Sequence, residues 1–288
     1  MTALASTLPP HETVAPTAAL RAPLNFILPQ STKPVLESAA LTGGAPRELF
    51  ATEPREVELL DARAAADSLS LDREGFALRH APTAVEDLYD DQAVETLYAT
   101  EIEDLVKREL GASRVAIFDV TRRSDSAAGA ANRDGQRGPA GRIHVDYTAA
   151  SGPRRAADVL GQAEVEAATA RGARIVQVNV WRPIRGPVQR SPLALADAAS
   201  VRPDDLIASD QLFPDRVGEI YHLAFDPAQR WYYAPQMTRD EVLLIKGWDS
   251  LDDGRARFTP HSAFSLPQQR ADAPPRESIE VRTFAVIG

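Results

Sequence analysis

Five residues in a fixed order could do chemistry in this chain: His144 and Asp146, then His261, then Arg276 and Ser278. Two imidazoles and one carboxylate on one side of a metal leave its other positions open, a donor set suited to Fe(II) and oxygen chemistry. Residues i and i+2 of a strand project from one face, so His144 and Asp146 can both reach one ion. With five histidines and 41 acids in 288 residues, a single His-x-acid pair arises by chance about as often as not. His261 alters that balance. It lies in the small and apolar stretch 259–264, in a later expected strand of the same fold, and completes a three-ligand set.

Arg276 offers a planar fork that binds a carboxylate through two parallel charge-assisted bonds, and the Ser278 hydroxyl adds a third donor. That pair fits the distal carboxylate of 2-oxoglutarate, whose keto-acid end would chelate the metal. Arg282, on the same i, i+2 face, is an alternative fork. Asn179 and Trp181 share a strand face, and Asn179 could donate to the cosubstrate's other carboxylate.

The elements that must position these groups are legible in outline. Residues 1–20 are rich in Ala, Thr and Pro and read as a flexible N-terminal arm. The rest, 21–288, reads as a single oxygenase domain, α-rich over 21–140 and a jelly-roll core over about 141–288. Strands are expected at 24–28 (at a sheet edge), 57–61, 115–120 (buried), 142–147 and 174–181. A helical turn is expected at 62–69. Between 84 and 110, Val94, Leu97, Tyr98, Ile102, Leu105 and Val106 recur at spacings of three and four and predict a helix capped by Gly111. The glycine-rich, charged stretch 121–141 reads as a mobile loop leading into His144. An alanine-rich helix is expected at 153–171. Short strands at 219–225, 230–234, 241–248, 259–264 and 278–287, separated by turn signals, predict a mainly β fold with flanking helices and a double-stranded β-helix, cupin-like core.

Composition excludes several classes. A net charge of −9 without a Lys/Arg block argues against nucleic acid and anionic membranes as partners. Cysteine is absent, which removes disulfides and thiolate chemistry and points to a reducing compartment. No apolar run approaches ~18 residues, and residues 1–16 lack a signal-peptide pattern, so a cytoplasmic protein is expected.

The whole order resembles the Fe(II)/2-oxoglutarate-dependent oxygenase superfamily. It resembles more closely the family of the cephamycin 7α-methoxylase component, gibberellin desaturase and AsaB-like hydroxylase/desaturases. The stretches that carry this are Gly75-Phe76-Ala77-Leu78, residues 81–87, 115–120, Asn179-Val180-Trp181-Arg182-Pro183, 232–237, Asp240-Glu241, Lys246-Gly247-Trp248-Asp249-Ser250, His261-Ser262-Ala263-Phe264 and 276–282. The resemblance implies that His144, Asp146 and His261 bind Fe(II) and that Arg276 with Ser278 holds 2-oxoglutarate. With O2 these would hydroxylate or desaturate a small molecule of secondary metabolism. Tyr147, Arg182, Tyr233, Met237 and Lys246 are candidate substrate contacts. Core packing competes for the two tyrosines and the methionine, and internal ion pairs compete for Arg182 and Lys246. Two other readings stay open: an accessory or binding subunit of a tailoring-enzyme pair, and a non-haem metalloenzyme that does not use 2-oxoglutarate. As partners, a second copy of the chain (a homo-oligomer) or a tailoring enzyme both stay open.

Overall fold

A computed structural model describes residues 19–132 and 135–288, so all but the last two residues of the expected arm lie outside it. Among the described residues the chain forms β1 (Leu20–Ile27), β2 (Val35–Glu37), the single turn α1 (Ala39–Thr42), β3 (Arg47–Glu48), β4 (Thr52–Asp61) and β5 (Phe76–His80). Then come α2 (Asp91–Ala93), α3 (Ala99–Leu110), β6 (Arg114–Ser124), β7 (Ala130–Asn132), β8 (Gly135–Arg137), β9 (His144–Val145), α4 (Ser151–Leu160) and α5 (Gln162–Ala170). The last part is all β in its long elements. It comprises β10 (Arg174–Arg185), β11 (Leu193–Ala196), β12 (Leu206–Leu212), β13 (Val217–Leu223), β14 (Trp231–Tyr233), β15 (Glu241–Asp249), β16 (His261–Ala263) and β17 (Glu277–Ile287).

These strands make a jelly roll of two facing sheets. A ten-stranded sheet runs β1-β4-β14-β11-β16-β9-β13-β12-β2-β3, and a five-stranded sheet runs β5-β15-β10-β17-β6. Period-two alternation along β10 shows how they face. Val176, Val178 and Val180 point outward and pack with Tyr98, Ile102, Leu105 and Val106 of the helix. Trp181 points inward and packs with Leu193, Leu195 and Ala263 of the large sheet. The inward face of β10, β17 and β6 also carries polar residues, and the site is built there.

Several expectations are corrected. The half expected to be α-rich, 21–140, supplies eight strands, β1 to β8. Residues 84–90 are not helical. Side chains satisfy their backbone there: Glu101 accepts from the Ala84 amide and the Thr83 hydroxyl, and Asp87 accepts from the Tyr89 amide. Asp90 caps the helix by accepting from Gln92 and Ala93. A π-turn at Val94–Tyr98 then rotates the stripe, leaving Leu97 45% exposed while its partners stay buried. Gly111 ends α3 in the left-handed region, φ 64°. The helix expected over 153–171 is broken at Gly161, φ 95°, into α4 and α5.

The stretch 115–120 forms a strand as expected, but only half-buried, because β6 is the edge of its sheet. Residues 121–141 are not simply a loop. Thr121–Ser124 continue β6 against β17, and a short β7–β8 hairpin follows. The Asn132 amide stands in for a further strand: its oxygen accepts from the Arg122 N–H at 2.7 Å and its nitrogen donates to the Arg122 carbonyl at 2.8 Å. No helix among the described residues is long and apolar enough to cross a membrane.

Candidate metal and dicarboxylate site

Strands β9 and β16 lie side by side with His144 opposite His261, which puts the two imidazoles on one face, ring centroids 4.6 Å apart. Asp146 lies one residue beyond β9, where the chain bends, and not in a continuous strand over 142–147. One ligand atom from each of His144, Asp146 and His261 falls within 4.8 Å of the others. Nδ1–H of His144 donates to the Arg142 carbonyl at 2.9 Å, and Nδ1–H of His261 donates to the Thr259 carbonyl at 3.0 Å. Each bond fixes the tautomer whose free Nε2 lone pair can bind a metal. Burial, helped by His261, pushes the His144 imidazole down to about 3, so it is neutral and ligand-competent near pH 7.

Asp146 is held by its other oxygen. Oδ2 accepts from Arg282 Nε at 2.9 Å and from Asn179 Nδ2 at 2.7 Å, while Oδ1 faces His144 Nε2 at 3.6 Å. Burial alone would raise this carboxyl, but Arg282, helped by the Asn179 amide, outweighs it and keeps the group ionised. Arg282 also reaches Asp119 at 2.6 Å and Glu280 at 3.4 Å. It is therefore committed to Asp146 and its neighbouring acids and is not a free alternative fork. Asn179, expected to donate to the cosubstrate, instead spends its amide hydrogens on Asp146 and, at 2.6 Å, on Glu280.

Arg276 lines the same pocket as His144 and His261, together with Trp181, Leu193, Glu280 and Arg123. It is 2% exposed. Nη1 donates to the Ser191 carbonyl at 3.0 Å, its guanidinium lies 5.7 Å from the Trp181 ring, and Nε and Nη2 are buried without a partner. A buried cation with two idle donors costs stability unless an anion completes it. Burial and the neighbouring Arg123 push Arg276 down to about 10, which still leaves it charged at neutral pH. The two idle donors could hold a carboxylate in the pocket that His144 and His261 also line. Ser278 is buried on β17 between Arg276 and Glu280 in sequence and on their face.

The candidate substrate contacts fare differently. Lys246 is fully buried, and its ammonium donates to Asp72 at 2.8 Å, Asp249 at 2.9 Å and the Ala256 carbonyl at 2.9 Å, leaving no donor for a substrate. Arg182 points to the helical side, where Nε donates to the Tyr98 hydroxyl at 2.9 Å and Nη1 to the Arg239 carbonyl at 2.6 Å. Tyr233 packs on Phe264, ring centroids 5.7 Å apart, on the sheet face opposite His261. Tyr147 packs with Trp248 and Phe284 under α4, where burial pushes its hydroxyl up to about 12. Met237 is core beside Trp181 and Leu193, behind the pocket wall. A larger open groove is lined by Arg63, Arg79, His80, Gln236 and Glu241, but its arginines are already paired with Glu241 and Glu109.

Arg123 and Glu280 were missed at the sequence level. The signal was alternation: Glu280 shares the face of Ser278 and Arg282, and Arg123 is the register partner of Ser278. That pairing of β6 with β17 joins segments more than 150 residues apart and is not visible in one chain.

Gly75 supports His261 from behind. Its carbonyl accepts the Thr259 hydroxyl at 2.7 Å, and the Thr259 carbonyl orients His261. At φ 83°, an added Cβ would lie 2.2 Å from Thr259 Oγ1. Gly75→Ala is therefore expected to cost about 2–3 kcal/mol in urea unfolding and to weaken metal binding along with it. An unchanged midpoint would show that the Thr259 segment yields freely.

A family profile described as an oxidoreductase/YMDC permease-like domain matches residues 24–286. The hydroxylase/desaturase efuI of Hormonema carpetanum is 33% identical over 92% of this chain and 96% of its own length. The Fe(II)/2-oxoglutarate-dependent dioxygenase nvfI of Aspergillus novofumigatus is 33% identical over 83% of this chain and 86% of its own. A solved structure of the iron and α-ketoglutarate-dependent endoperoxidase NvfI superposes with a TM-score of 0.80 at 30% identity, covering 94% of this chain and 98% of that one.

Proposed function

The chain belongs to the Fe(II)/2-oxoglutarate-dependent oxygenases of the hydroxylase/desaturase kind, and from that premise we propose which residues carry the reaction and on what class of substrate. Its cofactors are Fe(II), 2-oxoglutarate and O2. His144, Asp146 and His261 are the iron ligands, and Arg276 with Ser278 holds the distal carboxylate of 2-oxoglutarate. The observation that carries this reading is the pair of partnerless donors, Nε and Nη2, on the buried guanidinium of Arg276 in the pocket of the two metal-competent imidazoles.

When bound, iron and 2-oxoglutarate supply the activation of O2 and the abstraction of hydrogen from a C–H bond. The chain's own residues set the stage for it. Arg142 and Thr259 hold each imidazole in the right tautomer through their carbonyls. Arg282 and Asn179 keep Asp146 ionised and aimed, leaving Oδ1 for the metal. Trp181, Leu193 and Ala263 form an apolar wall that excludes water from the space between metal and clamp. The substrate is a small molecule of secondary metabolism, because the enzymes it resembles are named for such pathways, as in "Aspirochlorine biosynthesis protein N" of Aspergillus oryzae.

The test is anaerobic. Fe(II) followed by 2-oxoglutarate should give a weak charge-transfer band in the visible that is absent with Fe(II) alone and lost in His261→Ala. Iron binding without a band on addition of 2-oxoglutarate would overturn the clamp assignment, and no iron binding would overturn the ligand assignment.

A further inference from the structure

Arg123 enters the pocket as a second guanidinium that the residues described so far leave unexplained. It lies on β6 with its Cα opposite Ser278, one step along the sheet from Arg276 at the clamp end. At the other end of the same face, Asp119 is opposite Arg282, beside the metal carboxylate. Arg123 is partly buried, and among the described residues its side chain makes one hydrogen bond, Nη1 to the Gly138 carbonyl at 2.9 Å. Among the described residues no carboxylate lies within salt-bridge distance of it. Glu280, the acid it shares the pocket with, is already engaged by Asn179 and Arg282.

Two cations therefore wall one end of a pocket where the acid among the described lining residues, Glu280, is spent elsewhere. Free space there amounts to about 20 Å³, room for one or two waters, so a five-carbon dicarboxylate must displace a wall side chain to enter. Arg276 is tied down by Ser191 and the Trp181 ring. Arg123, with one hydrogen bond to a loop carbonyl, is the wall residue freest to swing. We propose that Arg123 is a second cosubstrate-binding residue: it moves onto the distal carboxylate beside Arg276 and makes the pocket selective for a dianion. This rests on the reading of Arg276 as the clamp.

The experiment measures equilibrium binding of two ligands to the anaerobic Fe(II)-loaded full chain by calorimetry, with displacement for the weaker one. The ligands are 2-oxoglutarate and 2-oxopentanoate, which has the same chain without the distal carboxylate. Arg123→Gln should weaken 2-oxoglutarate about tenfold or more and leave 2-oxopentanoate unchanged, while Arg123→Lys should retain most of the affinity. Unchanged affinity for 2-oxoglutarate in Arg123→Gln overturns the proposal, as does an equal loss for both ligands, which would mean a structural role. Arg276→Gln run in parallel separates the two readings: if it also binds 2-oxoglutarate normally the clamp itself is wrong, and if it alone loses affinity only Arg123 is misassigned. Should Arg123→Gln not fold, Arg123→Lys compared with Arg123→Met decides between the same outcomes.

Discussion

Replacing Asp146 with alanine is expected to lower 2-oxoglutarate-dependent turnover by on the order of a thousandfold or more and to abolish stabilisation of the fold by Fe(II) or Mn(II). Two losses combine. The proposed ligand atom Oδ1 disappears, which would leave two imidazoles to hold the ion, and Arg282 loses the carboxylate it meets at 2.9 Å. Breaking a buried pair by removing one partner typically costs about 3–5 kcal/mol. Here Asp119 and Glu280 still face Arg282, so the low end of that range applies. Asp146→Asn separates the effects: it keeps the shape and an oxygen while removing the charge, and should recover part of the stability without the metal. Thermal unfolding with and without Mn(II) reads both, since a ligand that binds only the folded state raises the midpoint by mass action. A metal-induced shift of normal size in Asp146→Ala would remove this residue from the ligand set.

Arg276→Met should move stability and function in opposite directions. The guanidinium is buried with two donors idle, so the protein without cosubstrate pays to keep it, and an apolar side chain of similar length should leave the unfolding midpoint unchanged or higher. Affinity for 2-oxoglutarate should fall by roughly a hundredfold or more, because truncating one partner of a desolvated charge pair costs about 2–5 kcal/mol. A gain in stability with a loss of binding identifies a residue kept for its ligand. Lower stability with normal binding would make Arg276 structural.

The metal-competent set was readable in the sequence because its spacing reflects backbone geometry: two residues apart at a strand end, and a third on a neighbouring strand. The support around it was not. Asn179 and Arg282 both reach Asp146, but the contacts join strands 33 and 136 residues away, and only the fold brings them together. Some errors were avoidable. Asn179 and Arg182 are three apart on one strand, so they face opposite sides, and a strand that turns Asn179 into the barrel could not also turn Arg182 to a substrate there. Lys246 was correctly seen to need an acid, but Asp72, its partner from a distant turn, carries no sequence signal. Residues 121–141 look like a loop because glycine and charge dominate, and it is an asparagine side chain that supplies the missing strand's hydrogen bonds.

Both histidines are oriented by main-chain carbonyls two positions upstream, whereas Asp146 is oriented by side chains. That difference sets how the site can drift over generations. Every amino acid brings the same carbonyl, so position 142 can change its side chain without disturbing the tautomer, while at 259 the buried hydroxyl bond to Gly75 adds a constraint of its own. Asp146 has no such insurance. A change at Arg282 or Asn179 acts through Asp146, the proposed metal ligand, so these three positions should vary together or not at all, and a saturation scan of the gene would find more tolerance at 142 than behind the carboxylate.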